Sequence, residues 1–268
     1  MIILEILTNF ILQIAFTIGV IVLFGFLIAL CNKMFYANFG NYGRAVCYIT
    51  GAIGTPIHEC AHALFCVIFG HKVTEIKLFQ INAADGTLGY VNHSFNPRNI
   101  YHKIGNFFIG IAPIIVISAI LYLMAYLLLP EFLLELSNGV NVVDFVADFG
   151  GALSSVLSSV PIFFLYAGTW QWWVFLIIGI FLSLHMTLSK ADIKGALSGL
   201  LFVILAFLIV NVILGLIGGN VLHSFTIGVL SFASYLLCIL VLSLVISVIA
   251  LLISYCFRFG KAKILKKR

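Results

Sequence analysis

Charge is scarce in this sequence. Asp, Glu, Lys and Arg make up 9% of its 268 residues, against about 25% in an ordinary soluble domain. A chain so poor in charge and 63% hydrophobic cannot clothe a globular surface in water, so a soluble fold is excluded and an integral membrane protein is expected. Acids thin out further toward the C-terminus: no Glu follows Glu135, and Asp192 is the one acid after Asp148. The six cysteines (Cys31, Cys47, Cys60, Cys66, Cys238 and Cys256) form no CxxC pair. Neither a disulfide framework nor a thiolate zinc site is supported, and they read as small buried hydrophobes. The N-terminal apolar run lacks a basic lead-in and a small-residue cleavage site, so it is expected to stay as a first span. The net charge of +5 comes largely from Arg258, Lys261, Lys263, Lys266, Lys267 and Arg268. That tail follows an apolar span and reads as an anchor against anionic lipid, not as a nucleic-acid surface.

Long apolar runs are what the chain has instead. Segments of spanning length lie near 6–30, 46–69, 104–129, 171–188, 197–217 and 226–256, each near or above the roughly 20 residues that cross a bilayer, the fourth being the shortest. The expected fold is therefore an all-α polytopic membrane protein of about six transmembrane helices, forming one membrane-embedded domain over 1–268. The stretch 150–169 is interrupted by Gly150, Gly151 and paired serines and is expected not to span. With the N-terminus inside, twelve of the fourteen Lys and Arg fall on the cytoplasmic side, leaving Lys33 and Arg44 outside. This bias predicts that both termini are cytoplasmic, in what is expected to be a bacterial plasma membrane. Trp170, Trp172 and Trp173 mark a membrane interface.

Inside the second apolar segment stands His58-Glu59-Cys60-Ala61-His62. On a helix the two histidines project from one face a turn apart, which suits two imidazoles binding one Zn²⁺, with the neighbouring glutamate placed to take a proton from water. Ionisable groups at this depth in lipid are costly and point to function. Catalytic zinc takes three protein ligands, so a third must come from elsewhere. Asp192, at the mouth of the fifth span and on the same side, is the best candidate. Its competing role is that of a helix cap. His185 is next, and His93 and His102 remain as further alternatives. Pro56, with Gly51, Gly54 and Thr55 upstream, predicts a loosened backbone or a close helix contact. Gly105, Gly110 and Pro113 in the third span predict close packing and a bend, and Asn106 is placed to contact an oxyanion or a substrate backbone. Between these spans, 73–79 and 87–92 alternate apolar and polar around a turn at 82–86, which predicts a short β-hairpin directly after the HExxH helix.

The HExxH in an early span, the strand-like segment after it, the Gly-Ile-Ala-Pro at 110–113 and an aspartate on a later helix together resemble the site-2 protease group, the M50-type intramembrane zinc metalloproteases. The resemblance covers roughly 46–195 as a catalytic core, with 196–268 as accessory C-terminal helices and the basic tail. It implies His58, His62 and Asp192 as zinc ligands, Glu59 as general base, and a membrane-protein or peptide substrate cut in or near a transmembrane segment. The Leu-Asp-Gly or Asn-Pro-Asp-Gly setting usual for that aspartate is absent around Asp192. The competing reading is a transporter or scaffold that keeps a metal site without proteolysis. A structural zinc usually has four protein ligands, and three are assembled here, which favours catalysis. A different HExxH peptidase family, with a downstream glutamate as third ligand, is disfavoured because no Glu follows Glu135.

Overall fold

The computed structural model describes residues 2–81, 83, 86–138 and 149–265. The expected turn residues Asn82, Ala84 and Asp85, the acids Asp144 and Asp148, and Lys266, Lys267 and Arg268 lie outside the described residues. The fold is all-α and polytopic with one small hairpin, as expected. In chain order it runs α1 (Ile2–Asn38, with a π-helical turn at Ala15–Gly19), α2 (Gly43–Ile68), β1 (Lys72–Lys77), β2 (Tyr90–Ser94), α3 (Ile100–Leu128), α4 (Pro130–Asn138), α5 (Phe149–Ser158), α6 (Val160–Leu165), α7 (Trp170–Leu184), α8 (Lys190–Ile217) and α9 (Gly219–Leu265). Among the described residues five helices (α1, α2, α3, α8 and α9) are long and apolar enough to cross a membrane. The apolar helix within 150–169, Leu153–Gly168, falls below that length, in agreement with a piece that does not span.

Helix α3 is the centre of the bundle. Its Ile114, Ile117 and Leu121 are buried with Phe24 and Ile28 of α1, Phe175 and Leu182 of α7, and Leu237 and Leu240 of α9. The direction of each helix follows from its close approaches. Gly25 of α1 meets Ile114, and earlier on both helices Ile18 and Ile21 line one cavity with Phe107 and Ile111, so α1 and α3 run the same way, while Gly110 meets Asp192 and Ala196, and Gly199 meets Phe107, so α8 runs against α3. Gly179 of α7 lies against Leu121. Along α3, the chain therefore advances from residue 179 through 192 to 199 in one direction. The expected fourth and fifth spans thus run in the same direction, 15 and 28 residues long and separated by 185–189, and of the two only α8 is long enough to cross a membrane.

This break moves the C-terminal end. Ile6 and Glu5 of α1 pack against Gly215 and Gly219, while Asn38 at the other end of α1 donates to Ser254 Oγ at 2.8 Å and accepts from Arg258 at 3.3 Å. Helices α1 and α9 thus run parallel, and the N-terminus and the end of α9 sit at opposite ends of the bundle. A buried amide pair fixes the register of α1. Gln13 donates to Asn211 Oδ1 (3.1 Å) and Thr226 Oγ1 (2.8 Å), and Asn211 donates back to Gln13 Oε1 (2.7 Å). In an apolar bundle such bonds are worth about 0.6–2 kcal/mol each. A reporter active only in the cytoplasm, fused in turn to the start of α1 and the end of α9, is expected to work at one end alone. Activity at both ends would restore the six-passage arrangement.

The hairpin differs slightly from expectation. β1 and β2 pair antiparallel from Lys72↔Ser94 to Lys77↔Tyr90, with an irregularity between Val73 and Glu75. The second strand begins at Tyr90 instead of Thr87 because 87–89 is drawn onto α2. Leu88 reaches Gly51, and the Gly89 backbone passes over Glu59, where a Cβ would lie 2.8 Å from Glu59 Cγ. The hairpin therefore folds back beside the HExxH helix.

Candidate metal centre

His58, Glu59 and His62 lie on α2 and are all buried. Both imidazoles are oriented through Nδ1. The Nδ1 of His62 lies 2.7 Å from the Ile109 carbonyl and that of His58 lies 2.8 Å from the His185 carbonyl. A carbonyl only accepts, so each Nδ1 carries a proton and donates, and in the neutral ring Nε2 is the atom whose lone pair is left to ligate. These two carbonyls are free for a reason written in the chain. Pro113 sits four residues after Ile109 within α3 and has no N–H to give it. His185 follows the last residue of α7, where helix carbonyls lack intrahelical donors.

The two bare Nε2 atoms lie 3.1 Å apart, and the Asp192 carboxylate is 3.2 Å from His62 Nε2 and 3.6 Å from His58 Nε2. Two lone pairs and a carboxylate at these distances repel one another unless a cation lies between them. A tetrahedral zinc with arms of 2.0–2.1 Å has ligand–ligand edges of about 3.3 Å, close to all three separations. The residues fit the metal. Among the described residues this is the group of His, Cys, Asp or Glu side chains able to hold one.

Asp192 reaches the histidines from the first turn of α8, where it also completes a capping box. Ser189 N–H donates to Asp192 Oδ2 (2.6 Å), and Asp192 N–H donates to Ser189 Oγ (3.2 Å). Helix capping and ligation are thus present together, and the cap orients the carboxylate. Gly110 permits the approach, since a Cβ there would stand 2.5 Å from the Asp192 carbonyl. Gly54 does the same for His185, so the small residues before Pro56 serve a close contact. His185 is not brought in as a ligand by its ring. That ring is held by Thr50 (3.0 Å), Tyr36 (3.3 Å) and Thr55 (3.3 Å), and it is the His185 backbone carbonyl that serves the site. His102 stands off at the hairpin end, where its carbonyl accepts from His71.

A cleft of about 560 Å³ opens beside the three ligands. Glu59, Asn106, Gly110 and Lys190 line it, as does the β2 side of the hairpin through Tyr90, Val91, Asn92 and His93. Asn106, singled out by the sequence, does face this space. The two carbonyl partners escape sequence reasoning, although a proline four residues after Ile109 is a readable sign of a freed acceptor. Replacing Pro113 by Ala supplies a competing amide N–H to Ile109. Zinc affinity, measured by competition with a chelator, is expected to fall about tenfold, in the range seen when outer partners of ligating histidines are lost.

Fold and site together bring HExxH on one apolar helix and a carboxylate from another into a group that could hold a metal ion. In agreement, residues 51–154 match the model of the family described as "Putative zincin peptidase". The match implies zinc and supports a zinc metallopeptidase. It spans His58, Glu59, His62, the hairpin and α3, and ends before Asp192. No curated protein and no solved structure matches the chain.

Proposed function

We propose that the protein is a zinc-dependent intramembrane endopeptidase of the site-2 protease kind, hydrolysing a peptide bond in or near a transmembrane segment of a membrane-protein substrate. The observation that carries this reading is the convergence of His58 Nε2, His62 Nε2 and the Asp192 carboxylate within 3.1–3.6 Å, beside Glu59 and a cleft bordered by a strand. Zinc bound there supplies Lewis acidity, lowering the pKa of water and polarising a carbonyl.

The chain's own residues do the rest. Glu59 takes a proton from the attacking water at its carboxylate and returns it to the leaving nitrogen. The amide of Asn106, facing the same cleft, donates to the oxygen where negative charge develops. Among the described residues strand β2 is paired on one side only, with β1. Its other edge offers backbone groups to an extended peptide by strand addition. A substrate helix hides its carbonyls in its own hydrogen bonds, so it must unwind before it can lie there. The hairpin's position favours a cut toward that end of the bundle.

The test uses the full chain in lipid nanodiscs with a synthetic single-span peptide, an apolar helix loosened by Gly and Pro near one end. Cleavage that stops with 1,10-phenanthroline and returns with added zinc, at a site mapped by mass spectrometry, is expected. A purified protein without zinc, or cleavage indifferent to the chelator, rejects the reading.

A further inference from the structure

Three histidines outside the metal set meet at the hairpin, and their hydrogen bonds dictate where each proton sits. His71 Nε2 lies 2.9 Å from the His102 carbonyl, so it must carry hydrogen and donate. His71 is buried and stacked on Phe95 at 5.0 Å between ring centroids, and burial holds its pKa below the usual value. Its ring is therefore neutral, and Nδ1 is a bare acceptor. His93 Nδ1 stands 3.0 Å from that atom, so the hydrogen between them belongs to His93. Burial holds the His93 pKa down as well. A neutral imidazole protonated at Nδ1 leaves Nε2 bare. His93 lies in β2, on the strand that lines the metal cleft.

We propose that His93 is a substrate-contacting residue, accepting a hydrogen bond through Nε2 from a backbone N–H of the peptide lying along β2. The proposal rests on the peptidase reading. His58, His62 and Asp192 direct their lone pairs toward the metal, and Glu59 serves the water. Among the cleft side chains, His93 Nε2 is thus an acceptor left to the peptide, beside the amide oxygens of Asn92 and Asn106. Asn92 already donates to Glu75 on the outer face of the hairpin at 3.3 Å. An extended peptide brings N–H groups into the cleft, and each needs an acceptor once water is excluded. The strut from His71 keeps the imidazole from turning its hydrogen toward them.

The experiment has two parts, both on the zinc-loaded full chain in nanodiscs. Histidine labelled with ¹⁵N reports the tautomer, with the His93 signal assigned by its loss in H93Q. The expected result is hydrogen on Nδ1 and none on Nε2. The second part compares H93N, which keeps a donor toward His71 but removes the cleft acceptor, with H93Q, whose side-chain oxygen replaces it. H93N is expected to lower kcat/KM on the synthetic peptide about tenfold with zinc content and Tm unchanged, and H93Q to recover most of the loss. Copies of the peptide carrying an ester oxygen in place of one N–H near the cut complete a cycle. One such copy is expected to be cut about tenfold more slowly by the wild type yet no more slowly than its parent by H93N.

Hydrogen on Nε2, additive effects of ester and variant, or wild-type rates in H93N each overturn the proposal. Equal losses in both variants with a lowered Tm mark His93 as structural and overturn it too. If the wild type cuts no peptide, the peptidase reading fails and the substrate role falls with it. If it cuts while His93 shows the other tautomer, only the His93 role is lost.

Discussion

Glu59→Gln is expected to leave zinc content and Tm at wild-type values and to lower kcat/KM by about 10³-fold, within the range general-base catalysis contributes. The two side chains have the same shape, so the packing beneath Gly89 is kept. What is lost is a carboxylate able to accept a proton in a cleft where His58 and His62 cannot take its place. Their Nδ1 hydrogens are committed to the Ile109 and His185 carbonyls and their Nε2 lone pairs face each other across 3.1 Å. The measurement is zinc analysis beside the rate on the synthetic peptide. A Glu59→Gln protein that holds zinc and still cuts at the wild-type rate would leave a metal site without the proposed chemistry, and the scaffold reading would take its place.

Asp192→Asn carries the second large effect, and it separates the two jobs of that residue. An asparagine oxygen can still accept from Ser189 N–H, so the capping box on α8 survives. A neutral amide cannot replace the carboxylate opposite two imidazoles. Zinc affinity is expected to fall by more than about 100-fold, beyond the 10–100-fold typical of losing an outer partner. Ser189→Ala is the complement. It removes the cap, at about 1 kcal/mol of stability, and is expected to keep zinc within about tenfold of the wild type. If Asp192→Asn binds zinc as tightly as the wild type, the carboxylate is only a cap and the third ligand lies elsewhere.

Much of the site is legible in the amino-acid sequence. The HExxH spacing requires only a helix to place His58 and His62 on one face, and a helix is what a long apolar run must form in lipid. Asp192 is legible by scarcity, as the one acid beyond Asp148. Its departure from the usual Leu-Asp-Gly setting does not prevent the carboxylate from arriving, because Gly110 on a different helix provides the room. His185 shows the opposite case. Its side chain resembles a ligand by chemistry and spacing, yet its main-chain carbonyl is what touches the site, and backbone contributions leave little trace in residue identity. The passage through α7 and α8 departs from the six-span expectation because hydropathy measures apolar length, not direction. Two apolar runs separated by a short polar break look alike whether the chain turns back there or continues.

The amino-acid sequence by itself determined that the chain is apolar enough for a bilayer, that it is helical, that a hairpin follows the HExxH helix, and that His58 and His62 share one helix face. Each of these depends on local chemistry: apolar run length, alternation, and spacing along one helix. Only the tertiary structure decided that α1 and α9 run parallel, that the break at 185–189 brings Asp192 to the histidines, and which carbonyls hold each imidazole in its tautomer. These depend on approaches between segments far apart in the chain, such as His58 to His185. The interactions that set them are packing and main-chain hydrogen bonds, which many sequences can supply and no single residue announces.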